Sequence, residues 1–138
     1  MSILYSKDNI EVGVRILANK LNFEYSGVDG REEEPVIIIS ILKGAIYFTA
    51  DLTKLLEFPI TIEFVRIQSY FDEMTPQEDP EIDFSTMDWG DLSSMNVLIL
   101  DDICDTGYTL VYLIREILKF HLVKEWKNKT SLIFLICL

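Results

Sequence analysis

Asp101, Asp102, Asp105, Thr106, Gly107, Tyr108 and Thr109 put three carboxylates and two threonine hydroxyls into one short stretch of this sequence. Adjacent acids repel and are costly to keep dry. They become useful where they accept hydrogen bonds from a diol or face a divalent cation that prefers oxygen ligands. The residues after them suit the opposite charge. A glycine that lets the backbone approach closely, two threonine hydroxyls and the unpaired N–H groups of a helix start can cradle a phosphate. Acids for hydroxyls beside an amide nest for phosphate fit a sugar phosphate. Spacing alone also allows a strand-end turn at Asp101-Asp102, a plain helix cap at Asp105-Thr106, or a phosphoacceptor aspartate.

Such residues need elements to position them. Val97-Leu98-Ile99-Leu100 is too continuously aliphatic to alternate in and out, so it predicts a strand covered on both faces. Leu110, Leu113, Ile114, Ile117 and Leu118 follow at helical spacing, so the motif lies in a strand, turn, helix unit. An earlier stretch repeats that order. Val36-Ile37-Ile38-Ile39-Ser40-Ile41 predicts a second buried strand, Leu42-Lys43-Gly44 a turn carrying a positive charge, and residues 45–56 a helix. In open α/β sheets ligands bind at the carboxyl ends of strands, where both turns fall.

The remaining chain fills in around these units. Ser6 or Asp8 can cap a first helix with Ile10, Val14, Leu17 and Leu21 on its apolar face. Residues 27–34, with Gly27, Gly30 and an acidic run, predict an exposed loop. After Phe58-Pro59, a strand places Ile60, Ile62, Phe64 and Ile67 on one side and Thr61, Glu63, Val65 and Arg66 on a more polar one. Residues 71–96 are acidic, carry Pro76 and Pro80, and predict a lid or a disordered excursion outside the core. Residues 131–138 predict a last buried strand. The sequence therefore predicts an α/β fold: an open, mostly parallel sheet flanked by helices, in the order helix, β, α, β, lid, β, α, β.

A chain of 138 residues suits one domain with a real core. The net charge is −11, and no Lys or Arg occurs from Gln68 through Ile114. Nucleic acid is not an expected partner, because binding its backbone draws on clustered Lys and Arg. The same acidity favours an anionic ligand complexed with magnesium. No apolar run reaches the ~20 residues of a membrane-spanning helix, and the N-terminus lacks the pattern of a signal peptide. A cytoplasmic protein is expected. Cys104 and Cys137 lack metal-ligand spacing, and the single histidine, His121, falls in the last turn of the predicted third helix. Neither a His-based triad nor a zinc site can be built.

The order from Val97 to Thr109, a hydrophobic strand, two acids, two variable residues and Asp-Thr-Gly-x-Thr, resembles the phosphoribosyl-pyrophosphate (PRPP) signature of type I phosphoribosyltransferases. Leu42-Lys43-Gly44 resembles the pyrophosphate loop of their hypoxanthine-guanine branch, in which the Leu-Lys peptide is often cis. Ser69-Tyr70 resembles the pair that opens that branch's mobile catalytic loop. The three motifs occur in the family's order over nearly the whole chain.

The resemblance implies transfer of the 5-phosphoribosyl group from PRPP to hypoxanthine or guanine, with release of pyrophosphate and use of Mg2+. Asp101 and Asp102 would contact the ribose hydroxyls and the magnesium, and Asp105 would act as general base near the purine N7. Thr106, Gly107, Tyr108 and Thr109 would bind the 5-phosphate of PRPP or nucleotide. Lys43 and Gly44 would hold pyrophosphate, and a lid over about 70–96, opened by Ser69 and Tyr70, would close the site. Tyr108 stands where relatives often carry Lys or a small or polar residue, though its N–H can still serve. The family's base-reading lysine and hood segment follow a strand like 131–138 and have no counterpart in these residues. The expectation is therefore a PRPP-binding core, lacking the C-terminal base-binding part, that self-associates as a homo-oligomer. A non-catalytic PRPP- or nucleotide-binding regulatory module is the alternative.

Overall fold

The computed structural model describes residues 6–27, 35–68, 79–87, 96–102, 108–122 and 133–137. The elements are α1 (Lys7–Tyr25), β1 (Val36–Leu42), α2 (Ile46–Thr53), β2 (Ile60–Gln68), β3 (Glu81–Asp83), β4 (Asn96–Asp101), α3 (Tyr108–Leu122) and β5 (Ile133–Cys137). They form a five-stranded sheet in the order β3-β2-β1-β4-β5. The β1–β2, β1–β4 and β4–β5 pairs are parallel, and only β3 runs against its neighbour β2. The α/β architecture follows from the sequence as expected.

The two continuous aliphatic runs became the central neighbours β1 and β4, with Ile38 opposite Leu98 and Ser40 opposite Leu100. Their alternating side chains feed two separate cores. Val36, Ile38, Leu98 and Leu100 pack with Val14, Ala18, Leu21 and Tyr25 of α1 and with Phe48 and Leu52 of α2. Ile37, Ile39, Ile41, Val97 and Ile99 pack on the other side with Leu110, Leu113 and Ile117 of α3. Burial on both faces explains why neither strand could alternate with polar residues.

The Ser6 Oγ caps α1 by accepting from the Asn9 N–H at 3.2 Å. At its other end the Ser26 N–H donates to Asn22 O at 3.0 Å, and Gly27 takes a left-handed φ of 75°. That conformation ends helices and is cheap only without a Cβ. Ile10, expected on the apolar face, is 45% exposed. The buried residues of α1 begin one turn later, at Val14.

Three further expectations are corrected. Helix α2 stops at Thr53 rather than at 56, because Asn22 takes over the chain beyond it: its Nδ2 donates to Leu55 O at 2.9 Å and its Oδ1 accepts from the Glu57 N–H at 2.7 Å. Val65, expected on a polar face, is fully buried with Ile67 alongside α3, whereas Ile60 and Ile62 face α1 and α2. Strict alternation puts Ile67 on the Val65 side, and β2 is an interior strand covered on both faces. Part of the acidic excursion also belongs to the core. Residues 79–87 supply β3, with Ile82 and Phe84 half-buried against the α3-side cluster and Met87 buried in it. Asn96, the end of the predicted lid, opens β4, whereas residues 28–34, 69–78 and 88–95 lie outside the described residues.

Candidate functional site

From β1 the chain passes through α2 to β2 on one side, and from β4 through α3 to β5 on the other. Strand order therefore reverses between β1 and β4, with α2 and α3 on opposite faces. Helices diverging from two adjacent strands open a crevice at the carboxyl ends of those strands. Leu42-Lys43-Gly44 and Asp101-Asp102 end the two strands that border it.

On the β1 side, the Leu42-Lys43 peptide bond is cis, as the resemblance implies. Residues 43–45 form a turn in which Ala45 N–H donates to Ile41 O and Ile46 N–H to Lys43 O, both at 3.2 Å. Ala45 is fully buried beneath the turn, whereas Lys43 and Gly44 are exposed above it. The turn thus presents a cation and backbone to the crevice from an anchored base. Below it the Ser40 and Thr49 hydroxyls meet at 2.6 Å, joining β1 to α2 inside the core.

On the β4 side, Asp101 and Asp102 are half-buried. Asp101 Oδ1 accepts the Asp102 N–H at 2.9 Å, which fixes the first carboxylate against the backbone of the second. The two turns touch: a Cβ placed on Gly44 would lie 2.6 Å from Asp102 Cγ. Helix α3 starts at Tyr108, with Thr109 half-buried and Leu110 already in the core. Its first N–H groups therefore lie six residues beyond the acidic pair, at the same edge of the sheet.

The structure thus brings together Lys43, Gly44, Asp101 and Asp102, and starts α3 at Tyr108-Thr109 as the spacing predicted. Asp105, Thr106, Gly107, Ser69 and Tyr70 lie outside the described residues. One cation was not singled out from sequence. Arg66 stands opposite Leu42 in the β1–β2 pairing and opposite Asp83 in the β2–β3 pairing. The Asp83 carboxyl is held below the usual carboxylate range, first by hydrogen bonds from Ser85 and then by the Arg66 charge. Alternation alone made Arg66 a surface residue, and only strand order puts it beside the Lys43 turn.

No helix among the described residues is long and apolar enough to cross a membrane. Residues 1–127 match the phosphoribosyl transferase domain family. A hypoxanthine-guanine phosphoribosyltransferase from Aquifex aeolicus is 31% identical over 135 residues, covering 98% of this chain and 70% of that protein. A hypoxanthine phosphoribosyltransferase from Haemophilus influenzae is 31% identical over 111 residues, covering 80% of this chain and 59% of its own length. This chain therefore spans about three fifths to seven tenths of these relatives. Among solved structures, a Trypanosoma cruzi hypoxanthine phosphoribosyl transferase superposes with a TM-score of 0.76 at 26% identity, over 99% of this chain and 67% of that one. The same enzyme in complex with the product IMP gives 0.73 at 27% identity, over 99% of this chain and 68% of that one. Sheet order, the cis Leu42-Lys43 turn, the acidic pair at the strand-order reversal and these similarities agree, and the chain belongs to the phosphoribosyltransferase family, in its hypoxanthine-guanine branch.

Proposed function

We propose that this chain carries out purine salvage, transferring the 5-phosphoribosyl group of PRPP to N9 of hypoxanthine or guanine and releasing pyrophosphate. The observation that carries this reading is the meeting of the Lys43-Gly44 turn and Asp101-Asp102 at the strand-order reversal between β1 and β4. It supports the reading because a cation and backbone N–H groups, suited to a diphosphate, end one strand, and carboxylates, suited to a ribose diol, end its neighbour.

Displacement at the anomeric carbon passes through a state with positive charge on the sugar ring and growing negative charge on the leaving group. Preorganised charges and dipoles stabilise such a state most when aimed at where charge develops. Asp101 and Asp102 serve the ring side, accepting hydrogen bonds from the ribose hydroxyls. Lys43 and the Gly44 backbone N–H serve the diphosphate side. Asp105 takes the role of general base near the purine N7. The turn Thr106, Gly107, Tyr108 and Thr109 at the start of α3 holds the 5-phosphate, Tyr108 through its N–H. Ser69 and Tyr70 open a lid that excludes water from the reacting centre.

The donor set fits magnesium. Two half-buried carboxylates offer oxygen ligands, and magnesium is commonly held by one or two carboxylates together with substrate phosphates and water. Asp101 and Asp102 would hold such a cation together with oxygens of the substrate. When bound it would supply charge neutralisation to the departing diphosphate.

The test is nucleotide formation from PRPP, magnesium and hypoxanthine or guanine with purified protein. IMP or GMP production is expected. PRPP binding without nucleotide from either base would leave a binding module in place of an enzyme. Self-association belongs to the same reading, supported by the exposed Val12, Ile16 and Phe23 of α1, and light scattering measures it.

A further inference from the structure

Among the described residues, Ser40 and Thr49 are the only buried polar side chains, and they meet each other. Stability alone does not call for them, because a matched pair of apolar groups in their place would leave the fold about as stable. Their place in the chain points to another use. Ser40 stands just before the end of β1, and Thr49 lies one helical turn beyond Ala45, from which α2 starts. The turn that carries Lys43 and Gly44 lies between them.

Hydrogen bonds close a ring around that turn. The Ala45 N–H donates to Ile41 O at 3.2 Å, and the Ala45 carbonyl accepts the Thr49 N–H at 2.8 Å. The Thr49 hydroxyl then reaches Ser40, the chain neighbour of Ile41. Ser40 is itself fixed, paired with Phe64 of β2 on one side and Leu100 of β4 on the other. Helix α2 has no comparable anchor of its own: it spans 8 residues, no side chain caps its start, and Phe48 and Leu52 hold it to the sheet. Apolar burial is non-directional, so these contacts leave the exact seat of a short helix open. A hydrogen bond demands a distance and an angle, and a satisfied buried polar contact specifies one arrangement. We propose that Ser40 and Thr49 are positioning residues: their hydroxyl contact sets where α2 starts relative to β1, and so holds the Lys43-Gly44 turn in the arrangement that receives a diphosphate. The proposal rests on the reading above that this turn holds pyrophosphate.

A turn that visits its receptive arrangement a tenth of the time binds about tenfold more weakly, since apparent affinity scales with the competent fraction. The experiment pairs calorimetric titration of inorganic pyrophosphate with magnesium against urea unfolding, for wild type, Thr49→Ser, Thr49→Val and Thr49→Val with Ser40→Ala. Thr49→Ser keeps the hydroxyl but loses a buried methyl, so it is expected to be less stable and yet to bind within about twofold of wild type. Thr49→Val keeps the volume but not the hydroxyl, and is expected to bind about tenfold more weakly. The double variant regains most of the stability and is expected to stay about tenfold weaker in binding. A role in stability alone predicts otherwise. Affinity that follows stability across the four proteins, or that is the same in wild type and the double variant, overturns the proposal. The comparison of Thr49→Ser with Thr49→Val decides the matter even if the double variant fails to fold: equal affinities overturn the proposal as well. A wild-type protein that takes up no pyrophosphate overturns the functional reading and this inference with it, whereas one that binds with every variant alike overturns this inference alone.

Discussion

The hydroxyls of Ser40 on β1 and Thr49 on α2 meet at 2.6 Å with both residues almost fully buried. They hold the two elements that flank the Lys43 turn and satisfy each other in an apolar surround. A buried polar group stripped of its partner costs about 1–3 kcal/mol, whereas replacing both partners by apolar groups of similar shape is nearly neutral. Thr49→Val alone is therefore expected to lose about that much stability in urea unfolding, and Thr49→Val with Ser40→Ala to recover most of it. Additive losses would mean that the pair is not coupled.

Asn22 ties the end of α1 to the chain leaving α2 by donating to Leu55 O and accepting from the Glu57 N–H. Asn22→Ala removes both bonds, which lie in exposed surroundings where water can replace them, and should cost about 1 kcal/mol. Asn22→Asp keeps the acceptor but not the donor, so its loss should be intermediate. Thermal unfolding of the three proteins orders them.

Lys43 is the exposed cation of the turn at the carboxyl end of β1. Charge-assisted hydrogen bonds contribute roughly 1.5–3 kcal/mol, so Lys43→Ala should weaken inhibition by pyrophosphate about 10- to 100-fold. Inhibition by a nucleoside monophosphate, which lacks the diphosphate, should change little. Equal loss for both ligands would place Lys43 elsewhere in the mechanism.

Asp105→Asn removes the proposed base while keeping its shape. A lost general base typically costs 10²-fold or more in rate, so turnover should fall by about that factor with PRPP binding retained. An active Asp105→Asn protein would take the residue out of the chemistry.

The Asp83 carboxyl is lowered from 3.8, first by the Ser85 side-chain hydrogen bond, next by the Ser85 N–H at 2.9 Å, and then by Arg66. A group with a depressed folded value adds stability above its unfolded pKa and loses it as pH falls through the folded value. The contribution is therefore present at neutral pH and disappears in the acid range below 3.8. NMR titration should give a midpoint below 3.8, and Ser85→Ala should return it toward that value.

The sequence by itself determined which segments must be buried on both faces. Four or more consecutive aliphatic residues at Val36–Ile39 and Val97–Leu100 leave no polar side to face water, so two central strands and a helix after each follow from local chemistry. The same runs place Lys43-Gly44 and Asp101-Asp102 at strand ends, and the motif order carried the family. Only the tertiary structure decided what lies beside what. That Val65 and Met87 are core, that Ile10 is not, and that Arg66 stands opposite both Leu42 and Asp83 depend on strand order and on which residues each element lays against the others. The contact between Gly44 and Asp102 belongs to this second kind. Periodicity reports how each segment meets solvent, whereas the pairing of β1 with β4 joins segments distant in the chain through the packing of three helices, which no local pattern encodes.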